Sequence, residues 1–519
     1  MQRPDSGGRS TVYGTGGAVA CEHPAAALAG IRMLDSGGTA ADACVAMAAA
    51  MAVLSPMMTG PGGDAFLLYR EAATGRVRAL EGAGRAGRGA TVEAMRARGH
   101  TDMPARGGET ITVPGAVALW GDAAAELGKL GLPALLEPAR ELAERGYPVA
   151  AVTARMWREE EPLLRDEAAA ADAFLPGGRA PREGELVRLP DLARTLGALA
   201  DEGPRTFYEG EIGERIVAAA KAAGGFLELD DMAAHRSTWV EPISAAYREL
   251  EVFELPPPTT GVAALMILRA LAREDLGALP PLCAERIHLE VRAKQGAFAA
   301  LHEHVGDPDF VDVPVEALLA GVAAATEDRA PAGRGAGDTT YLCAVDAEGN
   351  GCSFINSLYK GFGSGVVAPG TGVCLHDRGF GFTLDEASPS VLAPGKRPLH
   401  TIIPALVTRE GALWAVYGNM GGYMQPQGHA QVLVNLLDHG MTPQEAIDHP
   451  RHFHDQGVLL VEGRVPPAEV DKLRRWGHAV EVGPDYAQPC GGAQVIRMLD
   501  GGVRAAGSDP RKDGCALAQ

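Results

Sequence analysis

The sequence predicts an α+β protein whose helices and strands fall mainly in different parts of the chain. Apolar residues recur at three- and four-residue spacing from about Val113 to Ala325, which is typical of amphipathic helices. After Thr339 the chain changes to runs rich in β-branched and aromatic residues, separated by turn residues. Its 519 residues, 46% of them apolar and 22% charged, are enough for a large buried core.

The first part of the chain is predicted to be helical and tightly packed. "AALAGIRMLDSGG" ends in a glycine pair that suits a helix C-terminus, and Thr39 with Asp42 forms a capping-box pattern that starts a second helix through Leu54. That helix is apolar on nearly every side, so we expect it to be buried. "AFLLYR" and "RVRALE" follow as a hairpin. Gly62 and Gly63 before it indicate close backbone packing rather than a phosphate loop, because no Lys-Ser/Thr pair follows.

The middle of the chain is predicted to be mostly helical. The helical segments are "PGAVALWGDAAAELGKLG", "LPALLEPARELAERG", "LPDLARTLGALADEG", "GEIGERIVAAAKAAGG", "VAALMILRALARED" and "AERIHLEVRAKQGAFAALHEHVG". "AAYRELEVFELPPP" interrupts them as one predicted strand that ends in prolines. The low-complexity tract "APAGRGAG", from Ala330 to Gly337, is predicted to be a mobile linker that ends at Asp338.

The last part of the chain is predicted to be rich in strands. "TTYLCAVD" and "CSFIN" flank the turn "AEGNG", and "IIPALVT" and "ALWAVYG" flank "REG". The second hairpin leads through Gly421 and Gly422 into the helix "PQGHAQVLVNLLDHG". Another helix begins at "TPQEAID", where Thr442 is the cap and Glu445 stands three residues later.

Composition excludes several classes of partner and location. The 47 basic and 66 acidic residues give a formal charge of −19, which disfavours nucleic acid and anionic membranes as partners. The eight cysteines have no C-x-x-C pair and no metal-ligand spacing, so reduced thiols are expected. The amino terminus lacks the apolar region of a secretory signal, and the longest apolar tract, "ACVAMAAAMAVL", is too short to span a bilayer. We therefore predict a cytoplasmic protein.

The junction of the linker with the strand "TTYLCAVD" raises a chemical possibility. A threonine hydroxyl is a poor nucleophile unless a base lies beside it, and a threonine at a free chain terminus carries its own base, the α-amine. If Oγ1 of Thr339 attacks the carbonyl of Asp338, an N-to-O acyl shift gives an ester that water hydrolyses, which releases Thr339 as a new amino terminus. An ordinary hairpin strand is the alternative interpretation.

The paired glycines Gly421 and Gly422 also have two interpretations. They lie at a predicted strand-to-helix turn, where exposed backbone N–H groups can hold a developing oxyanion. A plain tight turn is the alternative. Neither feature decides the function by itself.

The chain resembles the γ-glutamyltransferase (γ-glutamyltranspeptidase) family of N-terminal nucleophile (Ntn) hydrolases. The resemblance rests on "GGTAADACVAMAAAMAVLSP", "GPGGDAFLLY", "TVPGAVALW", "LLEPARELAERGYPV", "GDTTYLCAVDAEGN", "GFGSGVVAPGTGV", "GNMGG", "HPRHFH" and "GSDPR". It implies a four-layer αββα sandwich and autocatalytic cleavage into a large chain, residues 1–338, and a small chain, residues 339–519, that stay associated. A homo-oligomer of such units is compatible with it.

The functional residues of the family can be matched singly to this sequence. Thr339 matches the nucleophile, its freed amine matches the general base, and the cleaved bond joins it to Asp338. Ser357 matches a second threonine, whose hydroxyl it keeps and whose methyl group it lacks. Gly421 and Gly422 match the glycines whose N–H groups form the oxyanion hole.

The residues that bind the glutamyl group in the family are not kept. Ala83 stands where an arginine pairs with the substrate α-carboxylate, although Arg85 is two residues along. Arg378 and Gly381 stand where a glutamine and an aspartate hold the glutamyl amino and carboxylate ends. Without that aspartate, little remains to bind a substrate ammonium, whereas Arg378 suits a carboxylate.

Three further positions also differ from the family pattern. Tyr359 replaces an asparagine, and His400 and Thr401 replace a pair of serines. The segments "SLYKGFGSG", "HDRGFGF", "KRPLHTIIPA" and "GGYMQPQ" resemble a divergent branch of amidohydrolases and acylases that includes oxamate amidohydrolase-like enzymes. The predicted substrate-binding residues are Arg378, Tyr359, His400, Thr401 and Arg85.

We therefore predict a self-processing amidohydrolase that cleaves a small acyl-amide through a Thr339 acyl-enzyme, which water resolves. The alternatives are a γ-glutamyl transferase or hydrolase with rearranged contacts, a variant that cleaves carbon–carbon bonds, and an unprocessed scaffold or binding protein on the same fold. No cofactor is expected. No metal is expected either, because the histidines of "HPRHFH" lack the i, i+4 spacing of a helical metal site.

Overall fold

The computed structural model describes residues 9–321 and 337–519. The predicted linker lies outside these residues except for Gly337. The strands are β1 (Val12–Gly14), β2 (Ala18–Cys21), β3 (Asp64–Arg70), β4 (Val77–Gly82), β5 (Tyr147–Pro148), β6 (Leu186–Val187), β7 (Thr238–Val240), β8 (Ile243–Tyr247), β9 (Leu250–Glu254), β10 (Asp338–Val345), β11 (Gly351–Tyr359), β12 (Val367–Ala368), β13 (Val373–Cys374), β14 (Ala405–Arg409), β15 (Ala412–Asn419), β16 (His452–Asp455), β17 (Val458–Val461), β18 (Ala479–Val482), β19 (Ala493–Met498), β20 (Arg504–Ser508) and β21 (Cys515–Ala518).

The helices alternate with these strands along the chain. They are α1 (Pro24–Asp35), α2 (Ala40–Leu54), α3 (Val92–Ala97), α4 (Ala116–Glu126), α5 (Leu132–Arg145), α6 (Ala151–Glu159), α7 (Glu161–Arg165), α8 (Ala168–Phe174), α9 (Pro190–Glu202), α10 (Thr206–Glu209), α11 (Glu211–Ala222), α12 (Leu229–Ala234), α13 (Gly261–Leu271), α14 (Ala284–His304), α15 (Val315–Ala320), α16 (Met424–Leu437), α17 (Pro443–Asp448) and α18 (Pro467–Arg475). In the two described stretches, no helix is both long and apolar enough to cross a bilayer.

Two seven-stranded antiparallel sheets form the centre of the molecule. The first sheet has the order β21-β2-β10-β11-β3-β4-β7, and the second has the order β1-β20-β19-β15-β14-β9-β8. They face each other, because a β-carbon on Gly418 of β15 would lie 2.4 Å from the ring of Tyr341 on β10. Helix α2 packs on the outside of the first sheet, and α13 and α16 pack on the outside of the second. The predicted four-layer αββα sandwich is confirmed.

Strands from both ends of the chain share each sheet. In the first sheet, β10 lies between β11 and β2, and Cys343 is opposite Ala20. In the second sheet, β14 pairs with β9, and Val407 is opposite Val252. The segments before and after Thr339 are therefore interleaved, and a cut between them would leave the two pieces bound through shared sheets and cores.

Most elements predicted from local patterns are confirmed. The hydroxyl of Thr39 accepts the N–H of Asp42 as a capping box, and every residue of α2 is buried. The six predicted helices of the middle region correspond to α4, α5, α9, α11, α13 and α14. The single strand predicted at "AAYRELEVFELPPP" is wrong, because the chain forms the hairpin β8–β9. Arg248 makes its turn with a φ of 55°.

Candidate active site

Thr339 lies at an irregularity in the first sheet. Asp338 is opposite Tyr359, whereas Thr340 is opposite Asn356, so the pairing of β10 with β11 shifts at Thr339. Such a bulge redirects a side chain and is frequent beside active sites. Thr339 is 1% exposed.

Three groups form a chain of hydrogen bonds across the bond between Asp338 and Thr339. Oγ of Ser357 donates to the carbonyl oxygen of Asp338 at 3.0 Å and lies 3.1 Å from Oγ1 of Thr339. Since a hydroxyl has one proton and the carbonyl can only accept, Thr339 donates to Ser357. The hydroxyl of Thr339 is thus linked through Ser357 to the carbonyl that it would attack.

The backbone fixes the position of Ser357. The N–H of Tyr359 donates to Oγ of Ser357 at 2.8 Å, and Tyr359 has a φ of 82°, which is rare for a residue with a side chain. On the other side, a β-carbon on Gly63 would lie 2.5 Å from the carbonyl oxygen of Ser357. Only glycine permits this approach, which confirms the close-packing interpretation of Gly63.

Gly421 and Gly422 form the turn between β15 and α16, next to the same peptide. Their φ values are 111° and 61°, both left-handed, and glycine adopts these values without strain. A β-carbon on Gly337 would lie 3.4 Å from Cα of Gly422. Among the described residues, neither glycine N–H donates a hydrogen bond. The turn therefore offers two backbone donors beside the bond between Asp338 and Thr339.

A buried polar network supports this turn. The amide nitrogen of Asn419 donates to the carbonyl of Met420 at 2.7 Å, and the guanidinium of Arg451 donates to Oδ1 of Asn419 at 3.0 Å. Arg451 also pairs with Asp509 at 2.7 Å and donates to the carbonyl of Gly491. Sequence reasoning missed these residues, although Asn419 and Arg451 stand in the quoted blocks "GNMGG" and "HPRHFH".

Arg378 is a fully buried guanidinium with incomplete hydrogen bonding. It begins the short 3₁₀ turn Arg378–Gly381, its guanidinium lies 4.4 Å from the centre of the Tyr359 ring, and one nitrogen donates to Oγ1 of Thr401 at 3.3 Å. Within the described part of the chain, no protein group accepts a hydrogen bond from its Nε or its other terminal nitrogen. Burial lowers the pKa of Arg378, although nearby Asp64 opposes that change. These free donors are suited to an anion.

His400 and Asp64 form a buried pair next to Arg378. Nε2 of His400 lies 2.8 Å from Oδ2 of Asp64, and Nδ1 lies 2.8 Å from the carbonyl of Pro398, which can only accept. Burial opposes ionisation of Asp64, but His376, His400 and Arg378 outweigh it and hold the pKa of this carboxyl below its usual range. Both ring nitrogens of His400 are therefore within hydrogen-bond distance of protein groups. We therefore assign His400 to the support of the site, in place of the predicted contact with substrate.

Comparison with known proteins gives the family. The γ-glutamyltranspeptidase family model matches residues 26–519. The chain belongs to the γ-glutamyltranspeptidase family. The cephalosporin acylase of Bacillus halodurans is 38% identical, and its crystal structure aligns with a TM-score of 0.92 over 100% of this chain and 99% of that one.

Two sequence relatives extend the comparison. The glutathione hydrolase-like YwrD proenzyme of Bacillus subtilis is 38% identical over 98% of this chain and 99% of its own. The oxamate amidohydrolase proenzyme of Klebsiella pneumoniae is 36% identical over 98% of this chain and 99% of its own. The predicted family and enzyme class, a hydrolase of the γ-glutamyltranspeptidase family, are confirmed.

In this γ-glutamyltranspeptidase family member, Arg85 has protein partners of its own. It donates to Asp309 at 2.6 Å and to the carbonyl of Gly395 at 2.9 Å, and it also lies near Asp307. Ala83 and Arg85 border a cavity of about 370 Å³ whose described lining residues do not include Thr339. The carboxylate partners of Arg85 therefore satisfy its charge, and its contact with substrate stays a prediction.

The histidines of "HPRHFH" face different partners. Nε2 of His449 contacts the carbonyl of Pro281, His452 lies 3.5 Å from Glu290, and His454 donates its backbone N–H to Gln427. Within residues 9–321 and 337–519, no three metal-ligating side chains are grouped suitably for an ion.

Removing the hydroxyl of Ser357 is expected to slow cleavage before Thr339 by about 100-fold, because the proton path to the carbonyl of Asp338 is lost. Ser357→Ala should accumulate uncut chain in a time course on denaturing gels, and Ser357→Thr should restore cleavage. Ser353→Ala is the matched control, because Ser353 is a buried serine four residues earlier on β11 that bonds Tyr341. Equal cleavage rates in the two alanine variants would contradict the role of Ser357.

Proposed function

We propose that the protein is a self-processing amidohydrolase whose nucleophile is Thr339. The observation that carries this proposal is the hydrogen-bonded chain from Thr339 through Ser357 to the carbonyl of Asp338. Oγ1 of Thr339 attacks the carbonyl carbon, its proton passes to Ser357, and the C–N bond breaks as the nitrogen takes up a proton. The break of the C–N bond frees the α-amine of Thr339, and water then hydrolyses the ester to a carboxylic acid on Asp338 and the free hydroxyl of Thr339.

The same groups would hydrolyse an external amide. The α-amine of Thr339 takes the hydroxyl proton as Oγ1 attacks the substrate carbonyl, and the N–H groups of Gly421 and Gly422 bind the oxyanion. The amine product leaves with a proton, and water resolves the acyl-enzyme. The proposed chains are residues 1–338 and 339–519, and their interleaved strands support a stable unit of the two.

We propose an acyl group that carries a carboxylate as the substrate class. Arg378 supports this, because it is buried and two of its nitrogens have no hydrogen-bond acceptor among the residues that the structure describes. Tyr359 stacks on the guanidinium and Thr401 orients it. Glycine stands at position 381, where the family has an aspartate that helps to hold the glutamyl group, so one binding contact of that group is lost. A glutaryl amide, which is a γ-glutamyl amide without the amine, fits this description.

Arg378→Ala is expected to raise KM for glutaryl p-nitroanilide by about 10- to 100-fold, because a charge-assisted contact is lost. Cleavage before Thr339 should persist, whereas the melting temperature is expected to fall, because the substitution leaves a cavity and removes a positive charge that stabilises the buried Asp64 carboxylate. Release of p-nitroaniline measures KM, and γ-glutamyl p-nitroanilide is the comparison substrate. Arg378→Lys is the control that keeps the charge and loses the planar fork.

A second candidate is hydrolysis or transfer of γ-glutamyl groups. The relative named a glutathione hydrolase-like proenzyme supports it. Efficient turnover of γ-glutamyl p-nitroanilide that Arg378→Ala leaves unchanged would favour this candidate over the carboxylated acyl-amide.

We also propose a reducing compartment, the cytoplasm, and a unit of one large and one small chain. All eight cysteines are free thiols, and seven of them are buried, which supports a reducing environment. A homo-oligomer of such units is a further proposal. Size-exclusion chromatography with light scattering tests the assembly, and fractionation of cells that express the protein tests the compartment.

A further inference from the structure

Gln425 lies in the first turn of α16, just after the turn that contains Gly421 and Gly422. It is fully buried, and its backbone N–H donates to the carbonyl of Gly422 at 3.1 Å. The N–H of Met424 donates to the carbonyl of Gly421 at the same distance of 3.1 Å. Since the N–H and C=O of a trans peptide point in opposite directions, this second bond directs the N–H of Gly422 out of the helix N-terminus. The start of α16 therefore orients one of the two proposed oxyanion donors.

The side chain of Gln425 reaches a segment from another part of the fold. Its Oε1 accepts the N–H of Ile403 at 2.9 Å. Ile403 stands two residues after Thr401, whose hydroxyl accepts an N–H of Arg378 at 3.3 Å. Gln425 is thus bonded on one side to the Gly421–Gly422 turn and on the other side to the segment that orients Arg378.

The segment from His400 to Ile403 is also held by Thr260, the residue before α13. The N–H of Thr260 donates to the carbonyl of His400 at 2.9 Å, and its hydroxyl donates to the carbonyl of Thr401 at 3.3 Å. The N–H of His400 donates to the carbonyl of Pro258 at 2.8 Å. Gln425 therefore joins two pieces of backbone that are each fixed by other bonds, so a change in its side chain alters the distance between them.

Packing alone does not explain an amide at position 425. Its Nε2 is buried and has no acceptor among the residues that the structure describes. A buried donor without a partner lowers stability, and a methionine of similar length would avoid that cost. The bond from the N–H of Ile403 to Oε1 is what the amide provides here.

We propose that Gln425 is a positioning residue that sets the distance between the oxyanion donors and Arg378. A substrate whose carboxylate binds Arg378 and whose carbonyl oxygen binds the N–H groups of Gly421 and Gly422 is held at both ends. Such a substrate reacts fast only when the distance between the two sites matches its own length. This inference rests on the proposed function, because it uses the roles proposed there for Arg378 and the paired glycines.

The test compares two p-nitroanilides of equal chain length. Glutaryl p-nitroanilide carries the carboxylate, whereas pentanoyl p-nitroanilide has a methyl group in its place and is free to shift along the site. Gln425→Met removes the acceptor of Ile403 and is expected to lower kcat about 10-fold for the glutaryl substrate and about twofold at most for the pentanoyl substrate. KM for the glutaryl substrate should change little, because Arg378 and Thr401 remain. Release of p-nitroaniline measures both constants.

Gln431→Met is the matched control on the same helix. Gln431 is also buried, and its amide makes two hydrogen bonds with the backbone of His452, at 2.9 and 3.3 Å. Because it loses two bonds, Gln431→Met should lower the melting temperature at least as much as Gln425→Met. It should leave kcat unchanged for both substrates.

Both variants are assayed as full-length protein that has cleaved itself, and amino-terminal sequencing first establishes whether the small chain starts at Thr339. Another start, or an unmodified protein that does not prefer the glutaryl substrate, would overturn the proposed function and this inference together. Equal losses of kcat for the two substrates in Gln425→Met, or no loss for the glutaryl substrate, would overturn this inference alone.

A second variant covers the case in which Gln425→Met does not cleave itself. Gln425→Asn keeps the amide on a side chain that is one methylene shorter, and the same unequal loss between the two substrates is expected. If neither variant at position 425 yields cleaved protein while Gln431→Met does, Gln425 is required for maturation of the chain, and its proposed role in substrate positioning is overturned.

Discussion

Thr339→Ala is expected to remain a single chain of 519 residues and to lose at least about 10⁴-fold in amide hydrolysis. The variant lacks the oxygen that attacks the carbonyl of Asp338, so no ester forms and no α-amine is released. Denaturing gels and intact mass measure the cleavage, and release of p-nitroaniline from glutaryl p-nitroanilide measures the activity. The unmodified protein should give fragments of residues 1–338 and 339–519.

Thr340→Ala provides a control from the neighbouring position. Thr340 is also buried, and its hydroxyl has no hydrogen-bond partner in residues 9–321 and 337–519, so its removal should change neither cleavage nor turnover. Thr339→Ser keeps a hydroxyl and should still cleave. Cleavage in Thr339→Ala, or a small chain that begins elsewhere, would rule out Thr339 as the nucleophile.

Gly421→Ala is expected to lower kcat by about 100- to 1000-fold, the usual cost of losing one oxyanion donor. The φ of 111° at Gly421 is unfavourable for alanine, and the new β-carbon would lie 3.2 Å from Cα of Gly491. The peptide between Gly421 and Gly422 must therefore rotate, which turns the N–H of Gly422 away from the substrate. Steady-state kinetics with glutaryl p-nitroanilide separate kcat from KM.

Gly440→Ala is the control for the backbone strain that alanine causes at a left-handed glycine. Gly440 has a φ of 61° and no atom within 4 Å of an added β-carbon, so Gly440→Ala carries a similar backbone strain far from Thr339. It should lower the melting temperature slightly and leave kcat unchanged. If Gly421→Ala behaved in the same way, the paired glycines would be a plain turn.

Local sequence patterns were sufficient to predict the helices and strands that interactions between neighbouring residues stabilise. The capping box of Thr39 and Asp42, the hairpin of β3 and β4 and the apolar spacing of α14 each depend on residues a few positions apart. The β8–β9 hairpin was missed because its turn contains Arg248 rather than glycine or asparagine. Arginine rarely adopts the left-handed conformation that Arg248 has here, so no local pattern predicted the turn.

Thr339 and the paired glycines could be proposed as site residues because each stands in a short contiguous block that matches the family. Their local patterns, a threonine at the start of a strand and two glycines between a strand and a helix, also fit ordinary structural roles, so the family resemblance was needed to assign them. His400 and Arg85 were predicted as substrate contacts from their positions alone. Their actual partners, Asp64 and Asp309, are 336 and 224 residues away in the sequence.

The sequence by itself therefore determined the α+β class, the position of the Thr339 junction and the residues that could act there. Only the tertiary structure decided which side chains meet. The support of the Gly421–Gly422 turn by Arg451, the burial of Arg378 against Tyr359 and the approach of Glu22 to β10 all depend on long-range pairing, such as that of β10 with β2. The physical reason is that hydrogen bonds and charges act over a few ångströms in space, whereas sequence patterns describe only neighbours along the chain.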